Sequence, residues 1–297
     1  MKDDKKKQYQ RKAKRVPSSA EKLQAMLSMR GLPAALVEKV IIELFQEQER
    51  DDRGLYRVTH EAARAQTQCK RSTVVDELSA TELRRLLTYG EVSVASMSKT
   101  VLPLLKLEED DVFYDLGCGT GKVVVQAALE TPCRVSRGIE LMQNRVVEGQ
   151  RALERLKKKQ LDDYSTKDVC IVQGDICQPP PEAPMTDATV VFINNVCFGP
   201  ELMLRVMDML ECMPKLKRVV TLRKLCERHR ENKCARGGNL CTSYVHPPQE
   251  SEIHVSWADK TSVYLYERVN QPVQERVNQP VRELAVKLQF NSDDLED

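Results

Sequence analysis

Apolar residues in the middle of the chain follow two patterns that alternate along it. Short continuous apolar runs are typical of strands buried on both faces, and longer stretches with an apolar residue every three or four positions are typical of helices. The runs cover residues 112–115, 134–139, 169–173, 190–194 and 218–221, and the helical stretches cover 123–129, 142–161 and 201–210. This alternation predicts a doubly wound α/β domain with a parallel sheet. Runs at 255–257 and 262–266 predict closing antiparallel strands.

The residues before this domain have helical spacing. Ser18 and Ser79 are each followed three positions later by a glutamate, which predicts capping boxes at two helix starts. Between them, an apolar stripe predicts a further helix, formed by Leu36, Val37, Val40, Ile41, Leu44 and Phe45. We expect four parts: a basic disordered tail over 1–17, a helical N-terminal domain over 18–87, the α/β domain over 88–290 and an acidic tail over 291–297.

Charge is concentrated at the start of the chain. The 297 residues carry a net charge of only +2, so bulk charge does not predict a polyanion binder. Residues 1–17 contain eight Lys or Arg against two Asp, and no apolar signal-peptide segment follows. This tail favours nuclear localisation or contact with nucleic-acid phosphates, and a solubilising end is an equal alternative. The sequence has no run of 18 apolar residues, so it predicts no membrane span.

The ten cysteines do not resemble a disulfide framework, because they are spread over a chain long enough to form its own core. Reduced thiols of a cytosolic or nuclear protein fit this distribution best. The densest cluster is Cys226, His229, Cys234 and Cys241, and its spacing matches no standard zinc site. We therefore predict no metal.

A glycine-rich turn follows the first predicted strand. Gly117, Gly119 and Gly121 come directly after the strand that contains Asp115. Such glycines allow positive φ angles and let the backbone approach a ligand closely. The GxGxG spacing differs from the GxGxxG of dinucleotide sites, and Val123 after Lys122 excludes a Walker loop. A tight turn without a ligand is the alternative.

Three acidic residues end three consecutive predicted strands. Asp115 closes the first, Glu140 the second and Asp175 the third. In a doubly wound sheet these ends face one crevice, where Glu140 is spaced to take ribose hydroxyls and Asp175 could accept from an adenine amine. Each acid alone is better explained as a solvated loop carboxylate. Together they favour a nucleoside without a phosphate grip, which points to S-adenosylmethionine.

Asn194 ends the fourth predicted strand, beside the reactive end of such a cofactor. An amide there can hold an amine in line with a sulfonium, and in-line methyl transfer depends mostly on positioning. A lysine that enters an apolar channel loses hydration, which favours its neutral, nucleophilic form. Phe198, Trp257 and Tyr264 are candidate channel walls, and ordinary core packing is the alternative for each.

These motifs, in this order, resemble the non-SET, disruptor-of-telomeric-silencing family of histone lysine methyltransferases. The matching elements are Tyr89-Gly90-Glu91, the glycine-rich turn after Asp115, Gly174-Asp175, Asn194-Asn195 with Phe198-Gly199-Pro200, and Val255-Ser256-Trp257. The resemblance covers about residues 88–266, and the Asn-Asn-x-x-Phe-Gly-Pro element is its specific part. The short N-terminal region is similar to that of the small trypanosomatid members.

The resemblance implies a Rossmann-like, seven-strand, class I S-adenosylmethionine-dependent methyltransferase core in the catalytic domain. It implies transfer to a lysine in the globular core of nucleosomal histone H3, in the nucleus, with roles in chromatin regulation and cell-cycle control. Catalytic roles fall on Asn194, Tyr264, Phe198 and Trp257. Cofactor-binding roles fall on Tyr89, Gly90, Glu91, Val92, Asp115, Gly117, Cys118, Gly119, Gly121, Lys122, Glu140, Asp175, Ile176 and Asn194.

Three positions depart from the family pattern. Lys122 stands where larger members carry Gln, Val92 where they carry Thr, and Ile176 where they carry an aromatic. Two other functions stay open. A nucleic-acid amino-methyltransferase typically carries Asn/Asp-Pro-Pro-aromatic after the fourth strand, and this chain lacks both prolines. A catalytically inactive chromatin-binding module is disfavoured by the intact acids and glycines.

Overall fold

The computed structural model describes residues 31–46, 55, 59–67, 79–159, 161, 164–226, 229–230, 233–234 and 243–269. The basic tail, the predicted capping box at Ser18, Cys241 and the acidic tail lie outside the described residues. Within them, no helix is both long and apolar enough to cross a membrane.

Helices and strands alternate through the described part of the chain. The helices are α1 (Ala34–Leu44), α2 (His60–Gln66), α3 (Ala80–Leu87), α4 (Val94–Ser96, π-helical Met97–Val101 and Leu102–Leu105), α5 (Lys122–Glu130), α6 (Gln143–Lys158) and α7 (Pro200–Glu211). The strands are β1 (Val112–Leu116), β2 (Val135–Glu140), β3 (Asp168–Gln173), β4 (Val190–Ile193), β5 (Arg218–Thr221), β6 (His229–Arg230), β7 (Lys233–Cys234), β8 (Gln249–Val255) and β9 (Ala258–Glu267). Short 3-10 turns cover Tyr164–Thr166 and Asn195–Cys197.

Seven of these strands form one mixed sheet in the order β3-β2-β1-β4-β5-β9-β8. Strands β1 to β5 pair in parallel, and β9 and β8 complete the sheet with antiparallel pairing. The strand order reverses between β1 and β4, and a ligand crevice is expected at such a switch point. The predicted fold class, a seven-strand Rossmann-like α/β core, is confirmed.

Alternate residues of the central strands enter two apolar layers, one on each face of the sheet. On β1, Phe113 packs into one layer, and Tyr114 and Leu116 pack into the other. On β4, Phe192 packs into the same layer as Phe113, and Val191 packs into the layer that contains Tyr114 and Leu116. Burial on both faces explains why these strands appear in the sequence as continuous apolar runs rather than as an alternating pattern.

Helix α1 packs directly on the α/β domain. Its Val37, Ile41 and Leu44, with Phe45 beyond the helix end, share an apolar cluster with residues of α5 and α6. Leu36, which was predicted to belong to this stripe, is instead 47% exposed. The backbone N–H of Leu32 donates to Leu129 O at 2.7 Å, which fixes the approach to α1. The division of the chain into two domains near residue 87 stays a prediction.

Two local predictions have clear outcomes. The capping box at Ser79 is confirmed, since its side chain receives the backbone N–H of Glu82 and the Glu82 carboxylate receives the backbone N–H of Ser79. The strand predicted over 255–257 is wrong, because β8 ends at Val255. Val255 pairs with Ala258, so Ser256 and Trp257 form the tight turn into β9.

Candidate active site

A cleft of about 430 Å³ opens where the sheet order reverses. It lies between the carboxyl ends of the parallel strands and the loop that joins α3 to α4. The predicted site residues on its wall are Tyr89, Gly90, Glu91, Val92, Asp115, Gly117, Cys118, Gly119, Lys122, Glu140, Asp175, Ile176, Asn194, Phe198 and Trp257. Gly121 and Tyr264 are not on it.

The glycine-rich turn has the conformation that its glycines permit. Gly117, Gly119 and Gly121 have φ angles of +78°, +58° and +79°, in the left-handed region that other residues resist. A Cβ on Gly121 would lie 2.1 Å from Cδ1 of Ile171 on β3. Gly121 is therefore required for packing the turn against the sheet, which explains its absence from the cleft wall.

The three strand-end acids are all buried at the cleft. Asp115, Glu140 and Asp175 are 2%, 4% and 7% exposed. Burial, and then the negative charge of Glu140, raises the pKa of Asp115 well above its usual value. The Glu140 carboxylate is held by two backbone N–H groups, those of Gly119 and Met142, each at 2.9 Å.

Asp175 carries a buried acceptor that the protein leaves unpaired. Its Oδ1 accepts from the backbone N–H of Cys177 at 2.8 Å, whereas its Oδ2 is buried and has no hydrogen-bond partner. A buried acceptor without a donor costs free energy, on the order of 1–3 kcal/mol, so such groups usually have a ligand or water to satisfy them. Asp175 therefore indicates a ligand with a hydrogen-bond donor at this end of the cleft.

The loop between α3 and α4 contributes to an ion pair on the cleft wall. Lys122 Nζ lies 2.8 Å from Glu91 Oε2, and the hydroxyl of Tyr89 donates to the same carboxylate. The Tyr89 hydroxyl also lies 3.1 Å from Thr120 Oγ1. Burial, and then the charge of Glu91, raises the pKa of Tyr89, so it stays a neutral donor. Lys122, which stands where larger members of the resembled family carry Gln, thus places an ammonium group beside Glu91.

The same loop is hydrogen-bonded to the turn between β8 and β9. The backbone N–H of Glu91 donates to Ser256 Oγ, and the backbone N–H of Ser256 donates to Glu91 O, both at 2.9 Å. Trp257 covers Gly90 so closely that a Cβ there would lie 2.3 Å from Trp257 Cε3. Trp257 remains 40% exposed. The indole is therefore both a brace for the loop and a wall at the mouth of the cleft.

The two adjacent asparagines after β4 differ completely in their contacts. Asn194 faces the cleft, and its Nδ2 donates to Gly90 O at 3.2 Å. Asn195 is 1% exposed and links β4 to the end of β5, because its Oδ1 accepts from Leu222 and Arg223 N–H at 3.0 and 2.7 Å. The first is placed to meet a ligand, and the second holds the sheet together.

Phe198 and Tyr264, two of the predicted channel walls, lie in different places. Phe198 is half-buried on the cleft, with its Cζ 3.4 Å from where a Cβ on Gly117 would stand. Tyr264 lies on β9, opposite Thr221, and Lys224 Nζ is 5.5 Å from its ring centroid. The role of Tyr264 in a lysine channel stays a prediction.

Arg145 is a cleft residue that the sequence reasoning missed. It is 5% exposed, and its Nη1 lies 3.5 Å from Glu140 Oε1. It stands in the first turn of α6, five residues after Glu140, among the buried residues of that helix, where an arginine is unusual. An arginine at a helix position expected to be apolar was the sequence feature that could have identified Arg145 as a site residue.

Metal binding has no support in the part of the chain described. No group of three or more His, Cys, Asp or Glu side chains there could hold an ion. Cys226 and His246, from the cysteine-rich region, line a separate cavity of about 10 Å³.

Comparison with known proteins identifies the family. Residues 72–269 match the family described as "Histone methylation protein DOT1". The chain belongs to this family. Because the matched range includes α3, the whole sheet and the cleft, the DOT1 domain contains every described element of the candidate site.

Relatives of this DOT1 chain are lysine methyltransferases by name. It is 30% identical over 188 residues to the "Histone-lysine N-methyltransferase, H3 lysine-79 specific" of Dictyostelium discoideum, covering 60% of this chain and 10% of that protein. The Emericella nidulans protein of the same name is 38% identical over 120 residues, 38% of this chain and 23% of that one. A "Protein-lysine N-methyltransferase" of Saccharolobus islandicus is 30% identical over 93 residues, 31% and 51% of the two chains.

The chain spans between about a tenth and a half of the length of these three relatives. Within its DOT1 domain, the residues present fit S-adenosylmethionine. The unpaired Asp175 Oδ2 can accept from an adenine amine. The Lys122–Glu91 pair offers both charges to an amino-acid group, which carries one of each.

Proposed function

We propose that this protein is an S-adenosylmethionine-dependent protein-lysine N-methyltransferase that acts on histone H3 in nucleosomes. The observation that carries the proposal is the meeting, in one cleft, of three buried strand-end acids and the Asn194 amide. The acids suit a nucleoside, and the amide suits the positioning of an amine beside it.

Each end of the cofactor has residues of matching chemistry. Glu140 would accept from the ribose hydroxyls through the lone pairs that its two backbone donors leave open. Asp175 would accept from the adenine amine, and Lys122 with Glu91 would hold the amino-acid end. When bound, the cofactor supplies a methyl group activated by a sulfonium.

The protein's part in the transfer is to position a neutral amine. Asn194 neither supplies nor removes a proton at neutral pH, so its amide can only orient the attacking nitrogen. Phe198, which is half-buried, and Trp257, at the mouth of the cleft, would exclude water from a lysine side chain. This loss of hydration disfavours the charged form of the lysine. The lysine ammonium would first release one proton to solvent, and the neutral amine would then form the new N–C bond as the S–C bond breaks, which would leave a neutral thioether and a methylated ammonium.

The names of the relatives support the proposed substrate and location. Those of Dictyostelium discoideum and Emericella nidulans are named as specific for H3 lysine-79. We infer that the same histone core is the substrate here and that the protein acts in the nucleus. The basic tail over 1–17, which lies outside the described residues, is the candidate for additional contacts with DNA phosphates.

The two competing functions are less consistent with the site. A nucleic-acid amino-methyltransferase needs a planar base held after the fourth strand, where this chain has Asn195 buried in hydrogen bonds to β5. An inactive binding module has no use for an unpaired buried acceptor such as Asp175 Oδ2.

Calorimetric titration tests the cofactor assignment. Wild-type protein should bind S-adenosylmethionine at one site and should not bind ATP, because Val123 after Lys122 excludes a Walker loop for a triphosphate. Glu140→Ala should weaken binding by ~10-fold or more, since hydrogen bonds to a charged group contribute about 1.5–3 kcal/mol each. Glu148→Gln is the control, because Glu148 pairs with Arg151 and Arg155 on α6 and is not on the cleft wall. Absence of binding by the wild type would refute the proposal.

A further inference from the structure

Arg145 joins three separate parts of the chain at the cleft. Its Nε and Nη2 both donate to the carbonyl oxygen of Leu55 at 3.3 Å. Its Nη1 lies 3.5 Å from Glu140 Oε1, and its Cζ lies 4.9 Å from the centroid of the Tyr89 ring. Leu55 is 90 residues away in sequence, so this single guanidinium connects the N-terminal stretch, the end of β2 and the loop before α4.

Arg145 provides a positive charge in a cleft that contains several buried carboxyl groups. Asp115, Glu140 and Asp175 bring three buried carboxyl groups to one crevice, and buried charges are strongly destabilising unless they are paired. Arg145, with a side chain 6% exposed, is a buried cation in contact with one of them. A planar guanidinium can pair with a carboxylate, donate to a carbonyl and stack on an aromatic ring simultaneously, which an ammonium cannot do.

Both groups that Arg145 contacts on the cleft side have proposed cofactor roles. Glu140 faces the ribose in the proposed function, and Tyr89 fixes the carboxylate of Glu91 at the amino-acid end. A shift of Arg145 would therefore disturb both ends of the cofactor site. The bond to Leu55 limits such a shift, because the two donors that share one carbonyl oxygen fix the plane of the guanidinium.

We propose that Arg145 is a positioning residue of the cofactor site, through which the carbonyl group of Leu55 holds Glu140 and Tyr89 in the geometry that binds S-adenosylmethionine. The inference rests on the proposed function. It goes beyond it by giving Arg145 and Leu55 a part in cofactor affinity.

A second ion-paired arginine provides a matched control. Arg137 lies on β2 with its side chain 17% exposed, and it pairs with Asp168 and Asp187 at 2.6 and 3.0 Å. It is not on the cleft wall. Arg137→Gln removes a partly buried guanidinium from the same sheet and should lower the melting temperature while it changes cofactor affinity less than ~3-fold.

The experiment compares Arg145→Gln, Arg145→Lys and Arg137→Gln in the 297-residue protein. Melting temperature is measured without cofactor, and the Kd for S-adenosylmethionine is measured by calorimetry. Arg145→Gln should raise Kd by ~10- to ~100-fold. Arg145→Lys keeps a cation near Glu140 but loses the guanidinium that contacts Tyr89 and Leu55, so its Kd should lie between wild type and Arg145→Gln.

Intrinsic fluorescence adds a signal that a general loss of stability does not produce. Trp257 is the only tryptophan and rests on Gly90, next to Tyr89. Without cofactor, Arg145→Gln should alter the emission of the folded protein, and Arg137→Gln should leave it as in the wild type.

A wild-type Kd in folded Arg145→Gln would overturn the inference, and so would equal losses of affinity in Arg145→Gln and Arg137→Gln. If Arg145→Gln does not fold, Arg145→Lys decides, because an unchanged Kd in that variant contradicts the positioning role. Failure of the proposed function is distinguishable, since the wild type itself would then fail to bind, and the inference would fall with it.

Discussion

The side-chain amide of Asn194 donates to the backbone carbonyl of Gly90 at 3.2 Å, and this bond joins the end of β4 to the loop before α4. Both residues are on the cleft wall, and Trp257 packs closely on Gly90. The three residues come from distant parts of the chain, yet they contact one another and line the same cleft as the strand-end acids. The orientation of the Asn194 amide is therefore set before any substrate arrives.

Asn194→Ala should reduce single-turnover methyl transfer by ~100-fold, because loss of the amide misplaces the amine by an amount comparable to ~1 Å. Cofactor Kd should change little, since ribose and adenine are held by other residues. Asn195→Ala is the matched control and should behave in the opposite way. It loses the bonds to Leu222 and Arg223, so its melting temperature should fall clearly. A folded Asn194→Ala variant with near-normal turnover would contradict the catalytic assignment.

The sequence was sufficient for features that depend on local pattern. Runs buried on both faces identified the five parallel strands, and polar residues at their ends identified Asp115, Glu140 and Asp175. Position at the strand end singled out Asn194, but the sequence did not reveal the structural role of Asn195, because that role depends on contacts with Leu222 and Arg223.

Three other features of the structure also could not be predicted from the sequence pattern. Val255 and Trp257 suggested a strand by residue type, but the pairing of Val255 with Ala258 places Trp257 in a turn. The sequence did not predict a site role for Arg145, because that role depends on contacts with Leu55 and Tyr89 that exist only in the folded chain. Nothing in the spacing of Tyr264 revealed that it would lie off the cleft wall.

Gly90→Ala should weaken cofactor binding and lower the melting temperature. Its Cβ would lie 2.3 Å from the Trp257 ring, so either the loop or the indole must move. Overpacking of this kind typically costs about 1–3 kcal/mol. Gly199→Ala is the control, because the nearest atom there is Nη1 of Arg85, the end of a flexible side chain. Calorimetry and thermal melting of the two variants check the difference, and equal behaviour would refute the close fit of Trp257 on Gly90.

Asp115→Asn should make the protein more stable at neutral pH. Burial and the charge of Glu140 raise the folded-state pKa of Asp115, so between the unfolded value of about 3.9 and the folded value the native state binds more protons. The contribution of Asp115 to stability therefore falls as pH rises through that window. The melting temperature of Asp115→Asn should exceed that of the wild type by a few degrees at pH 7, and the gap should shrink toward pH 4.5.

The control for this pH series is Asp259→Asn, which removes a charge from a side chain that is 92% exposed. Its melting temperature should follow the wild type across the series. A gap for Asp115→Asn that is constant with pH, or that grows on acidification, would contradict a raised pKa at Asp115.

The basic tail over 1–17 should contribute phosphate contacts on nucleosomes. Replacing its eight Lys and Arg with Gln keeps the length of the chain and removes the charge. The dependence of log K on log salt concentration should flatten by roughly one unit per lost phosphate contact. Nucleosome binding measured at several salt concentrations checks this, and an unchanged slope would leave the tail without a role in DNA contact.

The central claim is methyl transfer to a lysine of histone H3, and one measurement tests it most directly. The protein is incubated with methyl-labelled S-adenosylmethionine and with nucleosomes, free histones or naked DNA, and the labelled residue is mapped by mass spectrometry. Asn194→Ala serves as the inactive control. We predict label on a lysine in the globular core of histone H3 in nucleosomes. Label on DNA alone, or no label on any of the three by a protein that binds the cofactor, would contradict the account.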